Sequence, residues 1–179
     1  MIFNQLKELE QISIKRGIPI IGSEKGKWLF EKIQELKPKK ILELGTANGY
    51  SGCILGSEGA ELITIEKDKR MVMEAEQNFK QHHINAAVIA GDAVKETENL
   101  AMKKTNHNSF DLIFIDFAKK QYINVLEDCI LLVKKQGFII ADNITMEGCK
   151  NFKESVLQHP LLETKIIRIK DGMSCSMKK

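Results

Sequence analysis

Short apolar runs alternate with helical segments along most of this chain. Five runs of mainly Ile, Leu, Val, Phe and Ala read KILELG, ELITIEKD, AAVIAGD, FDLIFID and GFIIAD, and stretches with helical periodicity separate them. Continuous apolar runs with little polar alternation are typical of parallel strands that helices cover on both faces. The order therefore predicts an α/β fold built on a doubly wound, mostly parallel sheet.

The two ends of the chain add a helix and a hairpin to this sheet. Four apolar residues near the amino terminus fall close to helical spacing, and they predict an amphipathic helix over residues 1–17 that packs on the domain: Ile2, Leu6, Leu9 and Ile12. Near the other end, Asp171-Gly172 separates two strand-like segments, which is a strong signal for an antiparallel hairpin. With 179 residues, we expect one domain over residues 1–179 and seven strands in its sheet.

Composition argues against several classes of protein: nucleic-acid-binding proteins, zinc-ribbon or redox proteins, and proteins that span a membrane. The net charge is +3, and Lys and Arg are spread along the chain, which favours a solvated surface over a nucleic-acid-binding face. The four cysteines contain no CxxC pair, so neither a zinc ribbon nor a redox motif is indicated, and reduced thiols in a cytoplasmic protein are expected. No stretch approaches the roughly 18 to 20 apolar residues that span a bilayer.

The turn after the first apolar run is rich in glycine. In ILELGTANGYSG, Gly45 and Gly49 allow close approach of the backbone to a ligand, and the helix that follows offers free N–H groups. The spacing does not fit the dinucleotide fingerprint, which would need glycine at Ala47 and Tyr50. The second run ends in Glu66 about 20 residues later, where a carboxylate can accept hydrogen bonds from both hydroxyls of a ribose. The alternative is that Glu66 only opens a charged helix start.

Two later runs end in oxygen-bearing side chains. Asp116 closes FDLIFID, and Asp142 with Asn143 closes GFIIADN. Consecutive parallel strands deliver such residues to one edge of the sheet, where two carboxylates repel each other unless a cation lies between them. Carboxylate and amide oxygens are hard ligands that suit Mg²⁺ or Ca²⁺, whereas zinc prefers His and Cys. The alternative is a pair of strands that simply end in Asp.

These motifs resemble those of class I S-adenosylmethionine-dependent O-methyltransferases, and LELGTANGYS resembles the catechol and caffeoyl-CoA O-methyltransferase family in particular. The stretch FIDFAK, the tyrosine three residues after its lysine and the later ADN match that family as well. The resemblance implies the Rossmann-like methyltransferase fold and S-adenosylmethionine as cofactor. It also implies a divalent cation, Mg²⁺ with Ca²⁺ or Mn²⁺ as alternatives, and an enzyme.

Site residues follow from the same resemblance, residue by residue. Cofactor contacts are implied for Ile21, Glu43, Gly45, Thr46, Gly49, Ser51, Glu66, Gly91, Asp92, Ala93 and Asp116. The implied metal ligands are Asp116, Asp142 and Asn143. Lys119 and Asp116 are the implied catalytic residues, with Lys119 near the acceptor hydroxyl either as a base or as a positive charge.

Several points stay open from the sequence alone. The acceptor implied is a small catechol-like molecule with neighbouring oxygens, with the hydroxyuridine of transfer RNA as an alternative. A nucleotide-binding domain without catalysis is the alternative from another class. Asp92 fits a helix N-cap as well as an adenine contact, and Lys25 is expected at the surface. A homodimer is compatible with the family, and no membrane association is expected.

Overall fold

The computed structural model describes residues 2–179, which form two compact units that divide between Gly91 and Asp92. The first unit contains four helices and three strands: α1 (Ile2–Arg16), α2 (Gly22–Leu36), β1 (Lys40–Leu44), α3 (Tyr50–Leu55), β2 (Glu61–Glu66), α4 (Lys69–Gln81) and β3 (Ala86–Ala90). The second contains three helices and four strands: α5 (Ala93–Met102), β4 (Phe110–Ile115), α6 (Tyr122–Leu132), β5 (Val133–Asp142), α7 (Lys150–Gln158), β6 (Leu162–Ile167) and β7 (Met173–Lys178).

The strands of the first unit are all parallel and follow the order β3-β2-β1. Leu44 pairs with Ile65, and Glu66 pairs with Ala90, so the three strands end at the same edge. The residues that follow each strand therefore lie together, as ligand-binding residues do in open α/β sheets.

The strands of the second unit follow the order β4-β5-β7-β6. β4 and β5 are parallel, whereas β7 is antiparallel to both β5 and β6. The predicted α/β fold is confirmed: helices alternate with parallel strands in both units, the described residues contain seven strands, and the antiparallel hairpin of β6 and β7 lies at the carboxyl end. The number of domains stays a prediction.

Helix α1 confirms the predicted amphipathic helix, with one correction to its buried face. Leu6 and Leu9 are buried, but Ile12 is 42% exposed. The buried position in the last turn is Ser13, whose hydroxyl donates to the carbonyl of Leu9 at 2.6 Å. The spacing from Leu9 to Ser13 is one helical step of four residues, so the apolar residue Ile12 lies beside the buried stripe.

Among the described residues, no helix is both long and apolar enough to cross a bilayer.

Candidate functional site

The glycine-rich turn links β1 to α3 through a backbone that only small residues adopt easily. Gly45, Ala47 and Gly49 all have positive φ, at 100°, 46° and 87°. A Cβ on Gly49 would also come within 3.1 Å of the Phe79 ring and 3.2 Å of the Cα of Ala75. Gly49 is therefore required both by its conformation and by the packing of α4 against the turn.

Glu43 lies on β1 just before this turn and is fully buried. Its carboxylate accepts hydrogen bonds from the Ser51 hydroxyl at 2.5 Å and from the Thr64 hydroxyl at 2.7 Å. The Thr46 hydroxyl lies 2.5 Å from that of Thr64. The carboxylate thus joins the strand, the turn, the start of α3 and the neighbouring strand. Here Ser51 bonds to Glu43 and Thr46 bonds to Thr64. The cofactor contacts implied for Glu43, Thr46 and Ser51 stay predictions.

Glu66 ends β2 and is oriented by two backbone groups. One carboxylate oxygen accepts from the Ala47 N–H of the glycine-rich turn at 2.9 Å, and the other accepts from the Asp68 N–H at 2.9 Å. An ionised carboxylate has about four acceptor positions, so two such bonds leave room for two hydroxyl donors. The carboxylate is therefore fixed in place before any ribose binds.

Four further residues of the predicted cofactor set lie at two places in the chain. Ile21 is buried directly before α2, and Gly91 donates its N–H to the carbonyl of Glu66 at 2.9 Å. Asp92 caps α5, because its side chain accepts from the N–H groups of Val94 and Lys95 at 3.1 and 3.2 Å. The N-cap interpretation of Asp92 is confirmed, and its adenine contact, like that of the buried Ala93, stays a prediction.

The expectation that Lys25 lies at the surface is wrong. Lys25 is in the first turn of α2 and is only 2% exposed. It stands four residues before Leu29, which is fully buried, and so falls on the buried stripe of the helix. The charged residue type concealed a position that the helical period alone would have placed inside.

The acidic edge of the second unit is formed by the ends of β4 and β5. Ile115 pairs with Ala141, so Asp116 and Asp142 follow at the same level of two neighbouring parallel strands. Asp142 is buried, and one of its carboxylate oxygens accepts the N–H of Asn143 at 2.7 Å. Asn143 itself has a φ of 55°, a conformation that Asn adopts more readily than most residues. The three predicted oxygen ligands are thus delivered to one edge of the sheet.

Lys119 pairs with the first of these carboxylates. Its ammonium lies 2.5 Å from an Asp116 oxygen, and it also lies 5.5 Å from the centre of the Tyr122 ring. The Tyr122 ring is fully buried, stacks on Phe117 and meets Phe152 edge-on. Burial and, next, the Asp116 carboxylate raise the pKa of Tyr122, so this hydroxyl stays protonated. Tyr122 therefore acts as a neutral support for the lysine.

Cys149 and Asp171 were not singled out for this site from the sequence. Burial raises the pKa of the Cys149 thiol, Lys119 lowers it, and Asp142, Asp116 and Asp171 raise it further. All four charged groups therefore lie near enough to the Cys149 sulfur atom to affect its pKa. Asp171 does so from the β6–β7 turn, where the Asp-Gly pair indicated only a turn.

The donor set fits a hard divalent cation. Asp116 and Asp142 offer carboxylate oxygens, and Asn143 offers an amide oxygen, which are the ligands that Mg²⁺, Mn²⁺ and Ca²⁺ prefer. Among residues 2–179, no group of three or more His, Cys, Asp or Glu side chains is arranged to hold a metal ion. The third protein oxygen in the predicted set comes from Asn143.

A family model matches nearly the whole chain, and known proteins match about three quarters of it or more. A family model described as O-methyltransferase matches residues 3–179. Catechol O-methyltransferase B of Danio rerio is 34% identical over 143 residues, which are 76% of this chain and 54% of the relative. Caffeoyl-CoA O-methyltransferase 1 of Zea mays is 29% identical over 152 residues, or 80% of this chain and 58% of the relative. The chain thus spans little more than half the length of these two relatives.

A solved structure shows the same fold. The O-methyltransferase from Bacillus cereus, in complex with SAH, superposes with a TM-score of 0.88 and 23% identity, and the match covers 98% of this chain and 91% of that one. The sequence match to the family model covers the glycine-rich turn, Glu66 and the acidic edge. The chain therefore belongs to the O-methyltransferase family.

Proposed function

We propose that this chain transfers a methyl group from S-adenosylmethionine to one hydroxyl of a small acceptor that carries two neighbouring oxygens, with a divalent cation as cofactor. The observation that carries the proposal is the acidic edge: Asp116, Asp142 and Asn143 end two adjacent strands, and Lys119 stands beside them. A protein that only bound a nucleotide would need neither the three oxygen ligands nor the lysine.

The first unit supplies residues for the methyl donor. In the proposed complex, Glu66 accepts hydrogen bonds from the two ribose hydroxyls, because its carboxylate is already oriented by the Ala47 and Asp68 N–H groups. The backbone of the glycine-rich turn approaches the amino-acid end of the donor at Gly45 and Gly49, which carry no Cβ. Ile21 and the Gly91–Ala93 segment complete the cofactor contacts.

The second unit supplies residues for the acceptor. A divalent cation held by Asp116, Asp142 and Asn143 would act as a Lewis acid that lowers the pKa of an acceptor hydroxyl and orients it. Mg²⁺ with three protein ligands keeps about three positions for water or acceptor oxygens, which suits a molecule with two adjacent hydroxyls. Lys119 already lies against Asp116. As an ammonium it would stabilise the oxyanion that forms when the acceptor hydroxyl loses its proton, whereas only as a neutral amine, after giving its own proton to solvent, would it accept the hydroxyl proton.

The relatives favour a small acceptor. They are named for catechol and caffeoyl-CoA. Both of these molecules contain an aromatic ring with two adjacent oxygens. Hydroxyuridine in transfer RNA remains the alternative acceptor class, and a binding domain without catalysis remains the alternative outside enzymes.

A panel of acceptors tests the proposal. Purified protein is incubated with methyl-labelled S-adenosylmethionine and with catechol, caffeoyl-CoA or undermethylated transfer RNA, each with EDTA or with Mg²⁺. We expect label on one of the two small acceptors only when Mg²⁺ is present. Label on transfer RNA alone would show that the acceptor is transfer RNA and not a small molecule. Binding of S-adenosylmethionine without label on any acceptor would favour a binding domain without catalysis.

A matched pair of variants tests the acidic edge. Asp142→Asn should abolish methyl transfer, because it removes a charged oxygen ligand. Asp111→Asn is the control, since Asp111 lies near the opposite end of β4 and pairs with Lys134; it should keep the wild-type rate. Full activity of Asp142→Asn in the presence of EDTA would remove the metal from the proposal.

A further inference from the structure

We propose that Asp171 is a positioning residue for the metal site: it binds the nitrogen of the Asn143 side-chain amide, so that the amide oxygen is the end presented to the cation. The inference rests on the proposed function and extends it to a residue outside the ligand set. Asp171 lies in the turn between β6 and β7, 28 residues after Asn143 along the chain.

The contact that carries this inference is a single hydrogen bond. The Asn143 Nδ2 donates to an Asp171 carboxylate oxygen. An asparagine amide has one end that only donates and one end that only accepts or ligates. A carboxylate can accept from the nitrogen end but cannot pair with the oxygen end. Asp171 therefore selects one of the two orientations of the amide, and that orientation keeps the oxygen on the side away from its own carboxylate.

The β6–β7 turn is held against the Asn143 segment by further bonds. The N–H of Ile144 donates to the Gly172 carbonyl at 3.1 Å, and the Thr145 N–H and hydroxyl donate to the Asp171 carbonyl at 3.0 and 2.8 Å. A Cβ on Gly172 would lie 3.1 Å from methyl groups of both Ile144 and Thr145. The turn therefore packs closely on the segment that follows β5, and this packing fixes the distance between Asp171 and Asn143.

The backbone at Asn143 makes such a support useful. Its φ of 55° lies in the left-handed region, and its N–H is bonded to Asp142. The main chain is thus fixed at this residue, whereas a free amide could still rotate about its last side-chain bond. Groups that hold the far side of a metal ligand typically change metal affinity 10- to 100-fold when they are removed.

Binding of Mn²⁺ to the cofactor-free protein tests this inference without measuring activity. Free Mn²⁺ is counted by its electron paramagnetic resonance signal. We expect Asp171→Ala to weaken Mn²⁺ binding by roughly 10- to 100-fold. Asp171→Asn can still offer a side-chain oxygen to the Asn143 nitrogen, so it should stay within about 3-fold of the wild type. Equal weakening in both variants would mean that the charge of Asp171 matters rather than its acceptor, and would overturn the inference.

A second background separates positioning from a loss of folding. In Asn143→Asp the ligand has oxygen at both ends, so no orientation needs to be selected. Adding Asp171→Ala to Asn143→Asp should therefore cost little Mn²⁺ affinity, although the same change is costly beside asparagine. If Asp171→Ala lowers affinity equally in both backgrounds, its role is general stabilisation and the inference is wrong.

The two possible failures can be told apart. If the wild type binds no Mn²⁺, the metal part of the proposed function fails and this inference fails with it. If the wild type binds Mn²⁺ and Asp171→Ala binds it equally well, only the inference about Asp171 is refuted. The Asp111→Asn variant is the control for the removal of a carboxylate elsewhere in the second unit, and it should bind Mn²⁺ as the wild type does.

Discussion

Replacing Glu66 by glutamine is expected to weaken S-adenosylmethionine binding far more than its small change in shape suggests. Each carboxylate oxygen of Glu66 accepts one backbone N–H at 2.9 Å, from Ala47 and from Asp68. In the glutamine variant one of these oxygens becomes an NH₂ group, which faces a donor instead of accepting from it. That end of the side chain can accept a hydrogen bond neither from the backbone N–H nor from the ribose hydroxyl assigned to it.

The magnitude follows from the number of bonds lost. A hydrogen bond to a charged group contributes about 1.5–3 kcal/mol, and glutamine loses one such bond to the ribose. This corresponds to a rise in Kd of roughly 10- to 150-fold. Glu66→Ala loses both ribose bonds and also the support of the Ala47 N–H, so its Kd should rise more than about 100-fold.

Isothermal titration with S-adenosylmethionine measures these changes directly. Glu61→Gln is the matched control, because Glu61 is the first residue of the same strand that Glu66 ends, and it is exposed and pairs with Lys40. The control should keep the wild-type Kd. A Kd for Glu66→Gln within about 3-fold of the wild type would refute the ribose assignment, provided that thermal unfolding shows both variants to be folded.

Three further predictions concern catalysis and stability. Lys119→Met should lower kcat by about 100- to 10,000-fold while cofactor affinity stays unchanged; an unchanged kcat across pH would exclude a role as base. Lys178→Met removes an ammonium that donates to the carbonyls of Ile130 and Val133, so urea denaturation should show a loss of about 2 kcal/mol, and no loss would contradict this role. Burial raises the pKa of Cys53 from 9.0 to about 12. The unfolded chain therefore releases this proton first, and the free energy of unfolding should fall between about pH 9 and pH 12, by up to about 1.4 kcal/mol per pH unit for this thiol. Cys53→Ala should reduce that slope, and an identical slope in chemical denaturation would contradict the assignment.

Positions that end strands could be predicted from the sequence because the sheet determines where they lie. An apolar run that stops at a carboxylate places that carboxylate at the edge of the sheet, and Glu66, Asp116 and Asp142 all lie there. The glycine-rich turn could also be predicted, because glycine adopts a positive φ most readily. Gly45 and Gly49 both have a positive φ, as does Ala47 between them.

Contacts between residues distant in the sequence could not be predicted in this way. The hydrogen bond from Asn143 to Asp171 joins a strand end to a hairpin turn, and no local pattern connects the two. The residue types of Lys25 and Ile12 pointed to the wrong sides of their helices, because burial depends on helical position as well as on residue type. Glu43 and Ser51 illustrate a third limit: their spacing indicates that they lie on either side of the glycine-rich turn, but only the structure shows that they bond to each other.

The metal dependence of methyl transfer tests the proposed mechanism most directly. Protein stripped of metal with EDTA is given methyl-labelled S-adenosylmethionine and catechol, and labelled product is counted before and after Mg²⁺ is added. We predict essentially no product without the ion and recovery of transfer with it, in the wild type but not in Asp142→Asn. Equal product with and without Mg²⁺ would show that the acidic edge does not work through a cation.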